Sequence, residues 1–489
     1  MKHALVRLRA AIERLYRNLV AAEQGAGKII SRVHPKQQQS ATNLIHYLAL
    51  RCEDLRALQD ELHVAGLSSL ASSESHILRQ VMAVLQRLGV VSFTEKSKAI
   101  TYEAGTKLLH QRATTLFGHK PNSAIPHLMV TFDKGMATDY VAVKSLLKAG
   151  MNIARINCAH DNPGEWKKMI ANIHKAVRST GQPCKIYMDL AGPKIRTTLP
   201  GKGKEEGRLK LLEQELFYLV EADAAFDKKE KVLGCTLPGV VKDLRAGDRV
   251  LFDDGLFEAV VETPGERIAA LRMVRISAKK PRIKPEKGIN FPDTKLTVGC
   301  LTDFDKSVLP FAHQHADLLG FSFVRSVADV AELQELNGKA GTKKLPLILK
   351  IETFEAVQNL PALLLQGMAE PVFGVMIARG DLAVEIGFER LSEIQEEILW
   401  LCEAAHVPVI WATQVLETLN KSGIATRSEV TDAVRAAQAE CVMLNKGKYL
   451  LTVLATLQDI LHRTGGHHVK KRYVFRPLQI AERFLSAVN

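Results

Sequence analysis

The sequence predicts an α/β protein: a TIM-type (β/α)8 barrel that carries an inserted all-β lid and is preceded by an α-helical domain. Three observations predict it. Beyond residue 125, eight short and nearly all-apolar segments alternate with amphipathic helical ones. One interval, residues 197–285, breaks that alternation with strand-and-turn patterning. Residues 1–120 show helical periodicity throughout.

The helical domain comes first. LRAAIERLYRNLVAAEQ, NLIHYLALRCEDLRALQDEL and HILRQVMAVLQRL each place apolar residues at i, i+3, i+4 and i+7, the stripe of a helix with one buried face. Ser40, Ser72, Ser73 and Ser75 stand where helix N-caps are expected. The basic start MKHALVRLRAAIERLYRNLV has Arg and Glu set among its apolar residues, so it reads as an amphipathic helix and not as a signal peptide. Gly118-His119-Lys120-Pro121-Asn122-Ser123 is polar and punctuated by Gly and Pro, as a linker is.

The barrel strands follow as HLMVTF, MNIARIN, CKIYMDL, ADLLGFSF, PLILKIE, VFGVMIA, VPVIWAT and AECVMLN. Helical segments such as YVAVKSLLKAG, GEWKKMIANIHKAV, DVAELQELNG and SEIQEEILWLCEAA lie between them. Strands this uniformly apolar are buried on both faces, which is the situation of a parallel barrel wrapped in helices. After the third strand come GRLKLL, ELFYLVEA, DRVLFDDG, LFEAVVE and IAALRMVRI, which predict an all-β subdomain at the barrel mouth. The expected organisation is a helical domain at 1–120, barrel at 121–196, lid at 197–285, barrel again at 286–464, and a basic tail at 465–489. The last helix, LLTVLATLQDILHR, closes the barrel.

The 489 residues exceed one domain of ~100–200 residues. A hydrophobic share of 46% against 24% charged fits a globular chain with a large core. The formal charge of +13 suits either nucleic acid or small anionic substrates. The positive residues are scattered, apart from His467-His468-Val469-Lys470-Lys471-Arg472, and no nucleic-acid reader motif accompanies them, so anionic metabolites are the expected partners. Seven cysteines without a C-x-x-C pair argue against a disulfide framework or a structural zinc site. No apolar run approaches the ~18–20 residues of a membrane span, and a cytoplasmic protein is expected.

Catalytic groups of such barrels stand at the C-terminal ends of strands. Here the second strand ends in Arg155-Ile156-Asn157-Cys158-Ala159-His160, and the third in Asp189, followed by Gly192-Pro193-Lys194-Ile195-Arg196. The fourth ends near Ser322 and Arg325, the fifth in Lys350-Ile351-Glu352, the sixth in Arg379-Gly380-Asp381 and the seventh in Thr413-Gln414. Lys350 and Glu352, two apart, face the barrel axis together. Asp381 ends the neighbouring strand, so two carboxylates are placed to share one hard divalent cation. The plainer alternative is an internal Lys–Glu ion pair beside an N-cap Asp, and for each arginine a surface salt bridge. The concentration of these groups at adjacent strand ends favours the functional reading. Arg155 and Arg196 suit fork-like binding of phosphate oxygens. Gly380-Asp381 opens a helix whose first N–H groups suit an anion, and Gly380 lets a ligand approach the backbone closely.

AGMNIARINCAH, DLAGPKIRT, LILKIE, GVMIARGDLAVEI, PVIWATQVLETL and TRSEVTDAV, in this order, resemble the strand-end motifs of pyruvate kinase. LFDDGLFEAVV and KGINFP resemble that family's lid, and the likeness spans residues 126–450. The resemblance implies transfer of a phosphoryl group from phosphoenolpyruvate to ADP, giving pyruvate and ATP, with Mg2+ or Mn2+ as cofactor. It implies that Arg155 and Arg196 face the phosphoryl group. Lys350 would neutralise that group and the enolate oxygen, and Glu352 and Asp381 would be the divalent-metal ligands. Thr413 would stand near the face of the enolate that is protonated, with Ser322 and Gly380 also at the substrate. His160, Asn157, Arg196 and Lys287 would touch the nucleotide. A homo-oligomer is expected.

The chain departs from the family at several positions. Lys194 replaces a glutamate and Ala159 a serine. In potassium-dependent members that serine helps to bind K+, with the positions matching Asn157 and Asp189. An alanine side chain binds no ion, whereas a lysine ammonium carries the same charge as K+ into nearly the same space. The Glu-to-Lys change marks potassium-independent members, so K+ is expected to be dispensable. Thr131-Phe132-Asp133-Lys134 stands for a Gly-Pro turn, Ala383 for a glycine, and Asn445-Lys446-Gly447-Lys448 for a serine–glycine–glutamate loop. The family's C-terminal α/β domain has no counterpart in these residues, and ordinary members have none for the helical domain, whose expected part is oligomerisation, partner binding or covering a barrel face. Two other readings stay open: a binding or regulatory protein that has lost turnover, and a metal-dependent lyase or aldolase acting on a pyruvate enolate.

Overall fold

A computed structural model describes residues 2–93, 99–120, 125–200, 204–205, 207–222, 224–226, 230–278, 281–341, 343–465, 468–470 and 472–473. Parts of the expected linker (121–123) and most of the expected basic tail lie outside the described residues.

All eight apolar segments form barrel strands: β1 (His127–Thr131), β2 (Ile153–Asn157), β3 (Lys185–Asp189), β4 (Leu318–Phe321), β5 (Leu347–Ile351), β6 (Gly374–Ala378), β7 (Val409–Ala412) and β8 (Cys441–Leu444). They run parallel in chain order, and β8 closes on β1 with His127 opposite Cys441. The lid insertion does not disturb this order, since β4 pairs β3 with Gly320 opposite Asp189. Every residue of β1, β4, β5, β6, β7 and β8 is buried, as strands enclosed on both faces require.

The inserted segment forms a seven-stranded sheet running from Thr197 to Asn290, which extends five residues past the expected boundary. Along Phe257–Thr263 and Ile268–Ile276 buried residues alternate with less buried ones. One face of these strands packs on the lid's own core of Phe217, Phe252, Phe257 and Leu271. Having its own core, the lid can act as a unit above the barrel.

The helical domain comprises α1 (Lys2–Gly25), α2 (Gly27–Arg32), α3 (Gln38–Arg51), α4 (Arg56–Val64), α5 (Ile77–Arg87) and α6 (Tyr102–Phe117). The segment read as one helix over Asn43–Leu62 is broken at Cys52–Leu55, without Gly or Pro to announce the break. The expected serine caps are not found. Ser40 lies buried inside α3, and neither Ser73 nor the residues before α5 make a side-chain cap. Two of them meet the barrel instead, Ser40 through its side chain and Ser75 through its backbone. The Ser40 hydroxyl and the Ser75 carbonyl bind the two ring nitrogens of His406 at 3.0 and 2.9 Å. Burial pushes the His406 pKa down to about 3, so the ring is neutral.

Docking onto the barrel is extensive. Leu8, Ile12 and Leu15 of α1 belong to the same buried cluster as the barrel's outer residues Ile398 and Leu454. Asn43 donates to the Ala404 carbonyl at 2.8 Å, and the buried Arg112 guanidinium caps the Ala405 and His406 carbonyls at 3.2 and 2.8 Å. The domain therefore covers a barrel face. Its last helix also plugs the barrel: Ala113, Leu116 and Phe117 pack against Met129, Ile153, Ile348 and Met443 of the interior. No helix among the described residues is long and apolar enough to cross a membrane.

Truncating the plug should therefore destabilise the barrel and not only the helical domain. Phe117→Ala is expected to cost about 3–5 kcal/mol, measured as a lowered denaturation midpoint of the barrel. An unchanged midpoint would show that α6 is not part of the barrel core.

Candidate functional site

The strand ends open on a cavity of about 450 Å3 beneath the lid. Of the residues singled out from the sequence, Arg155, Asn157, His160, Lys194, Arg196, Ser322, Lys350, Glu352, Asp381 and Thr413 line it. Asp189, Gly380 and Lys287 do not.

Asp189, fully buried, lies under the cavity floor. One of its oxygens accepts from Arg155 Nε and Nη2 at 2.8 and 2.6 Å and pairs with Lys350 Nζ at 3.3 Å. Burial would raise its pKa, but the Lys350 and Arg155 charges outweigh that and hold it below the usual carboxylate range. Lys350 also pairs with Glu352 at 3.0 Å and donates to the Ser322 hydroxyl at 2.6 Å. Burial would lower the lysine's pKa, and the Asp189 and Glu352 charges more than compensate, so the ammonium is retained. The i, i+2 spacing of Lys350 and Glu352 thus brings both inward, as expected from strand geometry.

Glu352 is buried as well, and one of its oxygens accepts the Phe323 N–H at 2.7 Å. Burial raises its pKa; the Lys350 charge opposes this and the Asp381 carboxylate adds to it. Two carboxylates lining one cavity, each now paired with a lysine, are a donor set that fits a divalent cation. Among the described residues no cluster of three or more His, Cys, Asp or Glu stands ready for a metal. Magnesium needs no such cluster, since it takes one or two carboxylates with substrate oxygens and water.

Lys194 stands elsewhere than the sequence reading had it. Its ammonium pairs with both Asp381 oxygens, at 2.9 and 3.1 Å, and not with Asp189 and Asn157. The Asn157 side-chain oxygen instead accepts the Ala159 N–H at 3.1 Å. A cation on Asp381 marks a place where positive charge is favoured.

Asp381 sits in the first turn of the helix Arg379–Ile386, as expected. The Gly380 N–H, expected to face an anion, donates to the Thr413 hydroxyl at 2.8 Å. A Cβ at Gly380 would stand 3.4 Å from that oxygen, an ordinary van der Waals contact. Arg379 fixes this corner: it pairs with Asp432 at 2.5 Å, donates to the Thr413 carbonyl at 2.7 Å and stacks 4.6 Å over Trp411. Thr413 itself has φ of +66°, a left-handed backbone uncommon for a threonine.

On the opposite wall, partial burial and then the Lys446 and Arg196 charges lower the His160 pKa, leaving the imidazole neutral at pH 7. Arg196 Nη1 donates to the Glu286 carbonyl at 3.0 Å, while Lys287 pairs with Asp253 of the lid at 2.9 Å. Lys421 also lines the cavity and was not singled out; Lys446, noted in the sequence only as a departure from the family, lines it as well.

A second residue missed from sequence is Glu385, four positions after Asp381. It is bonded to Asn290 of the lid's return strand at 2.9 Å. Burial, eased by that bond and reinforced by the Asp381 charge, pushes its pKa up from 4.5 to about 7. The folded protein therefore holds this proton more tightly than the unfolded chain does. The resulting stability is fully present below pH 4.5 and is lost as the pH rises to about 7. Glu385→Gln is expected to remove a pH-dependent stability loss of roughly 3 kcal/mol over that window. Denaturant titrations of both proteins across it check this; parallel curves would contradict it.

Comparison with known proteins agrees with this geometry. The family model "Pyruvate kinase, barrel domain" matches residues 130–450. A pyruvate kinase of Geobacillus stearothermophilus is 32% identical over 326 residues, covering 65% of this chain and 53% of its own. One of Thermotoga maritima is 32% identical over 354 residues, 71% of this chain and 72% of its own. Pyruvate kinase PKLR of Rattus norvegicus is 30% identical over 441 residues, 86% of this chain and 74% of its own. The chain thus spans about half the length of the Geobacillus relative.

Proposed function

The chain belongs to the pyruvate kinase family, and on that premise we propose that it transfers the phosphoryl group of phosphoenolpyruvate to ADP, giving pyruvate and ATP. The observation that carries this reading is the convergence of Arg155, Arg196, Lys350, Glu352, Asp381 and Thr413 on one cavity beneath the lid. A phosphoryl group in transit spreads negative charge over its oxygens, so catalysis is mostly positioning plus cations.

Arg155 and Lys350, locked together through Asp189, present two fixed positive groups to the phosphoryl oxygens. Arg196 adds a third from the base of the lid. Glu352 and Asp381 would hold Mg2+ or Mn2+, whose bound charge would stabilise anionic oxygens as a Lewis acid. The P–O bond of phosphoenolpyruvate breaks as a terminal oxygen of ADP attacks in line, and the bonding pair passes to the enolate oxygen. Proton delivery to the enolate carbon then gives pyruvate. Thr413 is placed for the substrate end, because its hydroxyl accepts from Gly380 and keeps its own proton to donate. His160, Asn157, Arg196 and Lys287 would take the nucleotide, Lys287 joining them only as the lid closes over the cavity and excludes water.

Independence from K+ is part of the proposal. Ala159 offers no oxygen ligand, the Asn157 oxygen is engaged by the Ala159 N–H, and one Asp189 oxygen already holds two cationic groups. Lys194 brings a resident positive charge to the same cavity.

A lactate-dehydrogenase-coupled assay with phosphoenolpyruvate, ADP and Mg2+ is expected to show turnover, and Lys350→Met to reduce it by about a thousandfold or more. Tight substrate binding without turnover would instead support a regulatory protein, and pyruvate release without ADP a lyase. Replacing K+ by a tetraalkylammonium salt is expected to leave the rate unchanged. A strict K+ requirement would refute that part of the proposal.

A further inference from the structure

The barrel floor contains a polar side chain that the proposed reaction has not used. Tyr187 lies two residues before Asp189 on β3, so both side chains point into the barrel. The ring is fully buried within the interior core. Its hydroxyl donates to Asp189 Oδ1 at 3.2 Å, the oxygen that Arg155 and Lys350 leave free. Burial, and then the Asp189 charge, hold the phenol well above its ordinary pKa, so it remains a donor.

The neighbouring strand makes room for this contact. Gly320 stands opposite Asp189 in the β3–β4 pairing. A Cβ on Gly320 would meet the Tyr187 hydroxyl at 2.0 Å and Asp189 Oδ1 at 2.3 Å. No side chain larger than hydrogen fits there while the phenol–carboxylate contact stays in place.

Asp189 therefore divides its two oxygens. Oδ2 takes Arg155 Nε and Nη2 at 2.8 and 2.6 Å and Lys350 at 3.3 Å, while Oδ1 takes the phenol. Without the phenol the carboxylate is free to rotate and offer one oxygen to each cation. That would draw Arg155 from the Thr131 hydroxyl, 3.1 Å away, and Lys350 from Ser322 at 2.6 Å. Both cationic groups would leave the places from which they face the cavity.

We propose that Tyr187 is a positioning residue for the phosphoryl transfer: its hydroxyl fixes the Asp189 carboxylate, which in turn sets the places of Arg155 and Lys350. This inference rests on the functional reading above. Shifts of an ångström at reacting groups cost up to about a hundredfold in rate, and a loss confined to the transition state appears in kcat.

The test compares wild type with Tyr187→Phe, which keeps the ring and removes only the hydroxyl, in full steady-state kinetics with phosphoenolpyruvate and ADP. The expected result is a kcat lowered by roughly 10–100-fold, with both KM values little changed and the thermal midpoint close to wild type. Gly320→Ala, which keeps the phenol but crowds its contact with Asp189, is expected to lower kcat in the same way. It serves as the second variant if Tyr187→Phe does not fold. Wild-type turnover matched in kcat by Tyr187→Phe would overturn the inference alone, as would a lowered midpoint with kcat per folded molecule unchanged. Absence of turnover in the wild type would overturn the functional reading and this inference with it.

Discussion

A carboxylate with no exposed surface holds two cationic side chains at the floor of the barrel mouth, and the site is arranged around that cluster. Taking Asp189, Arg155 and Lys350 out of water costs several kcal/mol per ion, and only close pairing offsets it. The barrel meets that requirement by drawing the partners from three strands, β2, β3 and β5, whose register is fixed by backbone pairing. The same cluster that demands satisfaction inside the fold leaves Lys350 and Arg155 charged and oriented toward the cavity. Stability and chemistry are thus coupled: a buried cation that lost its partner would be costly to the fold and misplaced for a substrate.

The frame around this cluster was legible because its signals are local. Each barrel strand is a short apolar run, and polarity concentrates at one end of each, which identified both the fold and many of the charged side chains that line the cavity. Lys350, Glu352 and Asp381 were readable from spacing alone, since i, i+2 on a strand and the next strand's end leave little freedom. The rest depended on tertiary placement. Tyr187 reads as filler in an apolar strand until the Gly320 gap and the Asp189 oxygen are seen beside it. Lys194 was read as a charge beside Asp189 and Asn157, yet it pairs with Asp381, nearly two hundred residues away in sequence, a contact that no local pattern encodes. Serines expected to cap helices instead face a buried histidine of the barrel.

The helical domain shows how a barrel face can be covered by local means. Its helices share one apolar cluster with the barrel's outer layer, and side-chain donors from Asn43 and Arg112 satisfy carbonyls at the end of the barrel helix Leu391–Ala404 and just beyond it. Its last helix supplies the plug that packs against the apolar interior of the barrel. At the other end the lid packs on a core of its own and touches the helix Arg379–Ile386 through Asn290 and Glu385.

Transfer of a phosphoryl group from an enol phosphate to a nucleoside diphosphate in this cavity can be followed on the phosphorus atom itself. Phosphorus NMR of the protein with phosphoenolpyruvate, ADP and Mg2+ in buffer free of K+ follows the phosphorus atom directly. The phosphoenolpyruvate resonance is expected to be replaced, one for one, by the γ-phosphate resonance of ATP. Conversion to inorganic phosphate, or no conversion while both substrates are bound, would contradict it.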